Sequence, residues 1–132
     1  MGALADAVLA AGGEVTGVEP QMFMDRELQH EGLTRLIVTG DVPERRARMI
    51  ELGDAFVAFP GGMGTLEEIA EVMSMSCLGR LDAPCVLLNL NGYYDGLKAL
   101  LGTMVEKGLS TPERQQGIRF AGSVAELAKL LG

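Results

Sequence analysis

A glycine-rich turn is the part of the sequence whose residue types are best suited to chemistry. It reads Pro60-Gly61-Gly62-Met63-Gly64-Thr65 and joins an apolar run to a stretch with helical spacing. Glycines permit positive φ angles and let a ligand approach the backbone, because no Cβ lies in the way. The first turn of a helix adds unpaired N–H groups and a positive dipole end, which suit a phosphate. The pattern alone leaves a phosphate site and a plain tight turn equally open.

The turn differs from the two most familiar nucleotide motifs. No lysine follows Gly64, so the turn is not a Walker A loop, and its glycines are not spaced as GxGxxG. Magnesium-assisted hydrolysis of a nucleotide is therefore disfavoured.

Glu68 lies three residues after Thr65, and this spacing permits two roles. In a capping box, Thr65 would cap the helix and the Glu68 carboxylate would reach back to the cap N–H. In the other role, the carboxylate would lie one turn into the helix, beside a phosphate ester in the loop, and act on the sugar of a nucleotide. Spacing by itself favours the capping box.

Three arginines lie within four residues near the start of another predicted helix, Pro43–Leu52. They are Arg45, Arg46 and Arg48. A solvated helix face, with Glu44 paired to Arg48, would explain them. However, this helix follows a predicted strand, so its start is expected at the same sheet edge as the glycine turn. Arg45 and Met49 share one helical face, and a guanidinium there could bind a phosphate or a sugar oxygen.

Alternating strands and helices must position these residues. The apolar runs predict strands at Glu14–Val18, Arg35–Thr39, Ala55–Phe59, Pro84–Leu90 and Ile118–Phe120. The helical spacings predict helices at Ala3–Ala11, Pro43–Leu52, Thr65–Leu78, Tyr94–Lys107 and Ser123–Leu131, with a helical turn around Met24–Gln29. This order predicts one α/β domain over residues 1–132, a Rossmann-like parallel sheet flanked by helices. Such sheets bind ligands beyond the carboxyl ends of their strands.

Side-chain spacing predicts how three of these helices are capped or packed. Asp41 is a candidate cap for the Pro43–Leu52 helix, and Ser123 with Glu126 for the last helix. The inward face predicted for the Thr65–Leu78 helix consists of Leu66, Ile69, Ala70, Met73 and Cys77.

Composition and charge exclude several classes of function. Of the 132 residues, 48% are hydrophobic and 22% charged, which is typical of a globular protein. No apolar run approaches the roughly 20 residues that span a bilayer, and the start of the chain lacks the basic region of a secretory signal. We therefore expect a cytoplasmic protein without a membrane partner. The net charge of −7 argues against nucleic acid as the main partner.

Cysteine and histidine are too few for several kinds of site. Cys77 and Cys85 cannot build a disulfide framework, and their apolar neighbours favour buried thiols. The single histidine, His30, excludes a His-rich metal site and lies in a polar stretch typical of a solvated loop.

Three segments together resemble the Lonely guy family of cytokinin-activating phosphoribohydrolases. They read PERRARM, DAFVAFPGGMGTLEE and LLNLNGYYDGLKALL. The family signature is an Arg-Lys-x-x-Met helix followed by a PGGxGTxxE loop. The loop is complete at Pro60–Glu68, whereas the first motif, Arg45 to Met49, has arginine in place of lysine. The resemblance covers nearly the whole chain, and its loop motif is highly specific.

This resemblance implies hydrolysis of the N-glycosidic bond of a nucleoside 5′-monophosphate, giving the free base and ribose 5-phosphate. It implies that Arg45 and Glu68 are the catalytic pair, because they match the catalytic arginine and glutamate of the family. The residues expected to bind the substrate are Met49, Gly61, Gly62, Gly64 and Thr65. A carboxylate can stabilise the oxocarbenium-like sugar of such a reaction while it orients a water. The resemblance also implies a homodimer or larger homo-oligomer, with no cofactor and no metal.

The chain also departs from the family pattern. The resemblance implies that the family's usual N-terminal strand, helix and second strand are absent. Met75 and Cys77 stand where the family usually has Trp and Gln, and Leu81 and Ala83 where it often has His and Lys. Two alternatives therefore stay open, a non-catalytic nucleotide- or cofactor-binding protein of the same fold and an inactive truncated remnant. Relatives have often been labelled lysine decarboxylases, but no lysine precedes Lys98 to suggest a pyridoxal site.

Overall fold

A computed structural model describes residues 1–24 and 30–132. Contacts divide the chain into two compact units, Met1–Leu52 and Gly53–Gly132. The helical turn expected around Met24–Gln29 falls mainly on residues outside the described part of the chain. The assignment of residues 1–132 to one domain stays a prediction.

The first unit consists of helices around a two-stranded parallel sheet. Its elements are α1 (Gly2–Ala10), β1 (Thr16–Pro20), α2 (Gln21–Met24), β2 (Arg35–Thr39) and α3 (Val42–Leu52). Thr16 lies opposite Arg35 and Pro20 opposite Thr39. The strand expected at Glu14–Val18 thus begins later and includes Pro20. A proline fits the last position of a strand, where its missing N–H removes no bond from the ladder interior.

The second unit contains a three-stranded parallel sheet of order β3-β4-β5. Its elements are β3 (Phe56–Ala58), α4 (Met63–Cys77), β4 (Cys85–Leu88), a 3₁₀ turn (Leu90–Gly92), α5 (Asp95–Glu106), α6 (Pro112–Gln115), β5 (Ile118–Ala121) and α7 (Val124–Leu131). Cys85 pairs with Phe56 on one side and with Ile118 on the other. Parallel sheets flanked by helices confirm the predicted α/β, Rossmann-like class.

Strand β4 forms the centre of the second unit, and all four of its residues are fully buried. Val86 and Leu88 pack in one cluster with Ala121 of β5 and Leu127 of α7. Ser123 caps α7 as predicted, because its Oγ accepts the Glu126 N–H at 3.1 Å. The cluster and the cap together hold the last helix on the sheet.

The packed face of α4 differs from the predicted one. Ile69 and Met73 are buried as expected, but Leu66 and Ala70 are exposed, and Val72 is buried in their place. Val72 lies on the side of α4 that also carries Ser76, and Ser76 lies close to Gly117 at the start of β5. A Cβ at Gly117 would collide with Ser76 Oγ, so this glycine lets the Val72–Ser76 side of α4 approach.

The helices of the described residues include none long and apolar enough to cross a membrane. Both cysteines are free thiols, Cys85 fully buried as predicted and Cys77 half-buried.

Burial of Cys85 generates a testable prediction about its reactivity. Burial, with a smaller contribution from nearby Cys77, raises the pKa of the Cys85 thiol to about 11. Because the thiolate is the nucleophile, native Cys85 should resist iodoacetamide at pH 8 while Cys77 reacts, as read by mass spectrometry. In Cys77→Ser, alkylation of the remaining Cys85 thiol should require unfolding of the protein. The Cys85 contribution to stability is full below the ordinary thiol pKa of 9.0 and is lost as pH rises through 11. Rapid alkylation of native Cys77→Ser would contradict the burial.

Candidate functional site

Helix α4 begins inside the glycine turn. Met63 is its first residue and Gly62 is its N-cap, with extended backbone angles (φ −97°, ψ −154°). Gly64 and Thr65 therefore lie within the first helical turn. N–H groups at this end of a helix have no preceding carbonyl of the helix to bind, and the dipole there is positive. The turn thus offers several N–H donors to an anion.

The capping box predicted for Thr65 and Glu68 is wrong. Thr65 is the third residue of α4 and not its cap, because the helix starts at Met63. Glu68 is consequently the sixth residue, beyond the first turn, and its half-buried side chain cannot fill the N3 position of a capping box. The alternative role, with the carboxylate one turn along the helix from the glycines, is the one that this geometry permits.

The three glycines of the turn have different surroundings. A Cβ on Gly61 would lie 2.9 Å from Thr65 Cβ and closer still to Thr65 Oγ1. A Cβ on Gly62 or Gly64 would meet no atom within 4 Å. Gly61 is therefore required by packing within the turn. Gly62 and Gly64 border open space, where a ligand can approach the backbone.

Two tyrosines that the sequence analysis passed over contact this turn. Tyr94 Oη donates a hydrogen bond to the Phe59 carbonyl at 2.6 Å, and Tyr93 Oη donates one to the Gly61 carbonyl. They follow β4, and the glycine turn follows β3, so the carboxyl ends of two paired parallel strands supply both groups. Two sequence signals pointed to them: both lie in the segment LLNLNGYYDGLKALL that carries the family resemblance, and the turn-forming Asn91 and Gly92 place an element start after the strand.

The first unit contains the other predicted site residues, Arg45 and Met49, one helical turn apart on α3. Arg45 is half-buried, and its Nε donates to the Val18 carbonyl of β1 at 2.6 Å, which fixes the guanidinium plane. Asp41 caps α3 as predicted, because its Oδ1 accepts the Glu44 N–H at 2.8 Å.

One predicted ion pair on α3 is wrong. Glu44 Oε2 accepts the Gly40 N–H at 2.6 Å, and Arg48 pairs with Glu51 at 2.6 Å instead of with Glu44. The reason is the reciprocal cap: the Glu44 carboxylate is used at the helix start, so Arg48 binds the acidic residue one turn further on.

The structure thus gathers Gly61, Gly62, Gly64, Thr65 and Glu68 on one turn and helix of the second unit. Arg45 and Met49 belong to the first unit. The catalytic pairing of Arg45 with Glu68 stays a prediction. Among residues 1–24 and 30–132, no group of three or more His, Cys, Asp or Glu side chains is arranged to hold a metal ion. His30 differs from a solvated loop histidine, because its Nε2 lies 2.9 Å from Asp6 Oδ1 and its ring is half-buried.

A cleft of about 660 Å³ lies elsewhere in the second unit. Its lining includes Cys77 at the end of α4, Ala83 just before β4 and Gly117 just before β5. The cleft therefore lies at the amino ends of β4 and β5. Ligands of parallel α/β sheets bind beyond the carboxyl ends, so the glycine turn, and not this cleft, is the candidate site.

Comparison with known proteins shows the family of this chain. A family model described as "Possible lysine decarboxylase" matches residues 1–131. The chain belongs to this family. A cytokinin riboside 5′-monophosphate phosphoribohydrolase of Rhodococcoides fascians is 50% identical over 113 residues, which are 85% of this chain and 57% of the relative. Two Arabidopsis thaliana proteins of the same name are each 40% identical over 131 residues, 99% of this chain and 62% and 61% of the relatives.

These relatives confirm the resemblance of this family member to the Lonely guy phosphoribohydrolases. The chain spans 57%, 62% and 61% of the length of the three relatives.

The different surroundings of the glycines predict different effects of alanine. Gly61→Ala should destabilise the second unit by about 1–3 kcal/mol, because its Cβ collides with Thr65. Gly62→Ala should cost less, up to about 1 kcal/mol, because alanine is a poorer N-cap than glycine. Gly64→Ala should raise stability by up to about 1 kcal/mol, because alanine is the better residue inside a helix. Both should weaken binding of a phosphate-bearing ligand. Urea denaturation and calorimetric titration measure the two effects.

Gly102→Ala on α5 is the matched control, since a Cβ there also meets no atom within 4 Å and lies away from the turn. It should change neither ligand affinity nor, beyond the gain in helix propensity, stability. Equal stability of Gly61→Ala and Gly62→Ala would contradict the packing described for the turn.

Proposed function

We propose that this protein hydrolyses the N-glycosidic bond of a nucleoside 5′-monophosphate, a cytokinin riboside monophosphate or AMP, to the free base and ribose 5-phosphate. The observation that carries the proposal is the glycine turn that opens α4, with a carboxylate one turn further along the same helix. The printed names of the relatives support the reaction and the substrate class. The two residues that the family resemblance assigns to catalysis, Arg45 and Glu68, are both present.

The 5′-phosphate binds at the start of α4 in this proposal. Gly62 and Gly64 border open space, so phosphate oxygens can reach the backbone N–H groups of the first helical turn. Thr65 adds a hydroxyl in that turn. The phosphate thereby anchors the substrate at its non-reacting end, and binding energy from that end positions the sugar for reaction.

Glu68 acts on the sugar. As the bond between C1′ and the base breaks, its electron pair leaves with the base and positive charge develops on the ribose. The Glu68 carboxylate stabilises that charge and orients a water, whose oxygen forms the new bond to C1′. The water releases one proton to the solvent, and the departing base nitrogen takes up one proton from the solvent. Arg45 binds phosphate or sugar oxygens through its guanidinium, and Met49 provides an apolar contact to the substrate.

Replacement of Glu68 separates catalysis from binding. Glu68→Gln keeps the size and polarity of the side chain but removes its charge, so base release should fall by about 10²-fold or more. Affinity for AMP should stay nearly unchanged. Stability should fall by no more than about 1 kcal/mol, because Gln keeps the size and hydrogen-bonding capacity of the side chain. Chromatography of released base and calorimetric titration measure the two quantities, with AMP and isopentenyladenosine monophosphate as substrates.

Arg45→Ala is the companion variant, and it should lower both turnover and affinity, because a guanidinium contact exists in the ground state and the transition state. Equal base release by wild type and Glu68→Gln would show that the carboxylate is not catalytic. Nucleotide binding without base release by the wild type would identify a carrier, and absence of both would refute the proposed function.

We also propose that the protein forms a homodimer or a larger homo-oligomer. Support comes from apolar side chains exposed on the described helices. Leu78 at the end of α4 is 67% exposed, and Leu52 at the end of α3 is 45% exposed. Burial of such residues against a second copy of the chain would stabilise an assembly.

The assembly is tested by light scattering at tens of micromolar protein. The mass should be at least twice the 14.0 kDa of one chain. Leu78→Lys should shift the distribution towards the monomer, because a charge on the buried face costs desolvation. Monomer alone in the wild type would contradict the proposal.

A cytoplasmic location is part of the same proposal. Two free thiols, Cys77 and Cys85, fit a reducing compartment. The net charge of −7 supports a small nucleotide as the partner in preference to a nucleic acid.

A further inference from the structure

The proposed reaction assigns no role to Tyr93 and Tyr94, although both donate hydrogen bonds to carbonyls at the glycine turn. Tyr94 Oη bonds the Phe59 carbonyl at 2.6 Å, and Tyr93 Oη bonds the Gly61 carbonyl. These carbonyls lie on either side of Pro60. The rings pack edge to face, with centroids 5.0 Å apart and an interplanar angle of 88°. The hydroxyls of two packed rings therefore bind the carbonyls before and after Pro60.

The tyrosines are themselves held by a built network after β4. Asn89 Oδ1 accepts the Tyr94 N–H at 2.6 Å, and Asn89 Nδ2 donates to Asp95 Oδ1 at 2.8 Å. The chain turns through Asn91 and Gly92, which both have positive φ (53° and 73°). A side chain at Gly92 would collide with Asp95, so this position requires glycine. The hydroxyls thus come from a defined backbone and not from a freely moving loop.

The hydrogen bond from Tyr93 to the Gly61 carbonyl determines the orientation of the next N–H group. A trans peptide is planar, and its C=O and N–H point in opposite directions. The Gly61 carbonyl shares its peptide plane with the Gly62 N–H. When Tyr93 holds that carbonyl, the Gly62 N–H must point away from the tyrosine. Gly62 is the N-cap of α4 and borders open space, so this donor belongs to the group that faces an anion.

The contact to Phe59 has a different consequence. The Phe59 carbonyl precedes Pro60, so its peptide has no N–H to present to a ligand. Tyr94 therefore fixes where the chain leaves β3, and Tyr93 fixes the orientation of the next free donor. Burial, and to a smaller extent Tyr93, raises the pKa of the Tyr94 hydroxyl above its ordinary value of 10.0, so this hydroxyl stays a hydrogen-bond donor even in mildly alkaline solution.

We propose that Tyr93 and Tyr94 are positioning residues, whose hydroxyls hold the Phe59 and Gly61 carbonyls so that the Gly62 N–H is preorganised for the 5′-phosphate of the substrate. This role rests on the proposed function of the turn. A glycine turn without these contacts would have to be ordered by the ligand, and the ordering would weaken binding. The tyrosines contribute to affinity through the turn and not by contact with the base.

The test uses Tyr93→Phe, Tyr94→Phe and the double variant, which keep the rings and remove the hydroxyls. Affinity for AMP should fall by roughly 3- to 10-fold per lost hydroxyl. KM should rise by a similar factor while kcat changes less, because the phosphate anchors the non-reacting end. Affinity for adenosine, which lacks the phosphate, should be unchanged. Thr103→Val, which removes an exposed α5 hydroxyl bonded to the Ala99 carbonyl, is the matched control and should change none of these.

Amide NMR of the ligand-free protein tests the positioning role independently of the proposed function. The Gly62 amide should become more mobile and exchange faster in Tyr93→Phe than in wild type. An unchanged Gly62 amide, or equal losses of AMP and adenosine affinity, would overturn the positioning role while base release by the wild type leaves the proposed function intact. Failure of the wild type to bind AMP would overturn both the proposed function and the phosphate role. Binding of AMP without base release would overturn the hydrolysis and leave the phosphate role standing.

Discussion

Complete burial of strand β4 is the constraint on which the second unit depends. Cys85 to Leu88 exclude solvent fully, and hydrogen bonds to β3 and β5 satisfy the backbone on both sides. A parallel strand placed this way sets where its neighbours end, because register and burial leave no freedom to slide. The glycine turn after β3 and the Asn89 network after β4 consequently emerge side by side. The burial of four residues thus places the tyrosine hydroxyls beside the carbonyls that they bind.

The start of α4 lies in the glycine turn and forms the candidate phosphate site. Helix α4 begins at Met63, with the extended Gly62 as its N-cap, and no side chain on Gly62 or Gly64 covers the N–H groups at that end. Glu68, displaced from the capping position, is a carboxylate one turn behind the anion-binding end. In the proposed mechanism, the phosphate binds at the start of the helix and the Glu68 carboxylate acts one turn further along. This spacing matches a nucleotide, whose phosphate and glycosidic carbon lie at different places along the molecule.

Much of this architecture could be predicted from local patterns. Short apolar runs such as that around Val86 indicated the buried parallel strands, and Asp41 and Ser123 carried recognisable caps. The capping box at Thr65 was wrong because a glycine cap leaves no side-chain signal, so the helix start was placed two residues late. The tyrosine contacts could not be predicted, because they join residues 32 and 35 positions apart and spacing reports only local neighbours. The glycine motif indicated the site, but only the fold distinguished Gly61, which packs, from Gly62.

Amide NMR during titration with AMP reports directly on the proposed phosphate site at Gly62 to Thr65. We expect saturable shifts of the Gly62, Gly64 and Thr65 amides with AMP, the same shifts in Glu68→Gln, and none of them with adenosine. Unmoved turn amides, with shifts instead around the cleft lined by Cys77, would contradict phosphate binding at this turn.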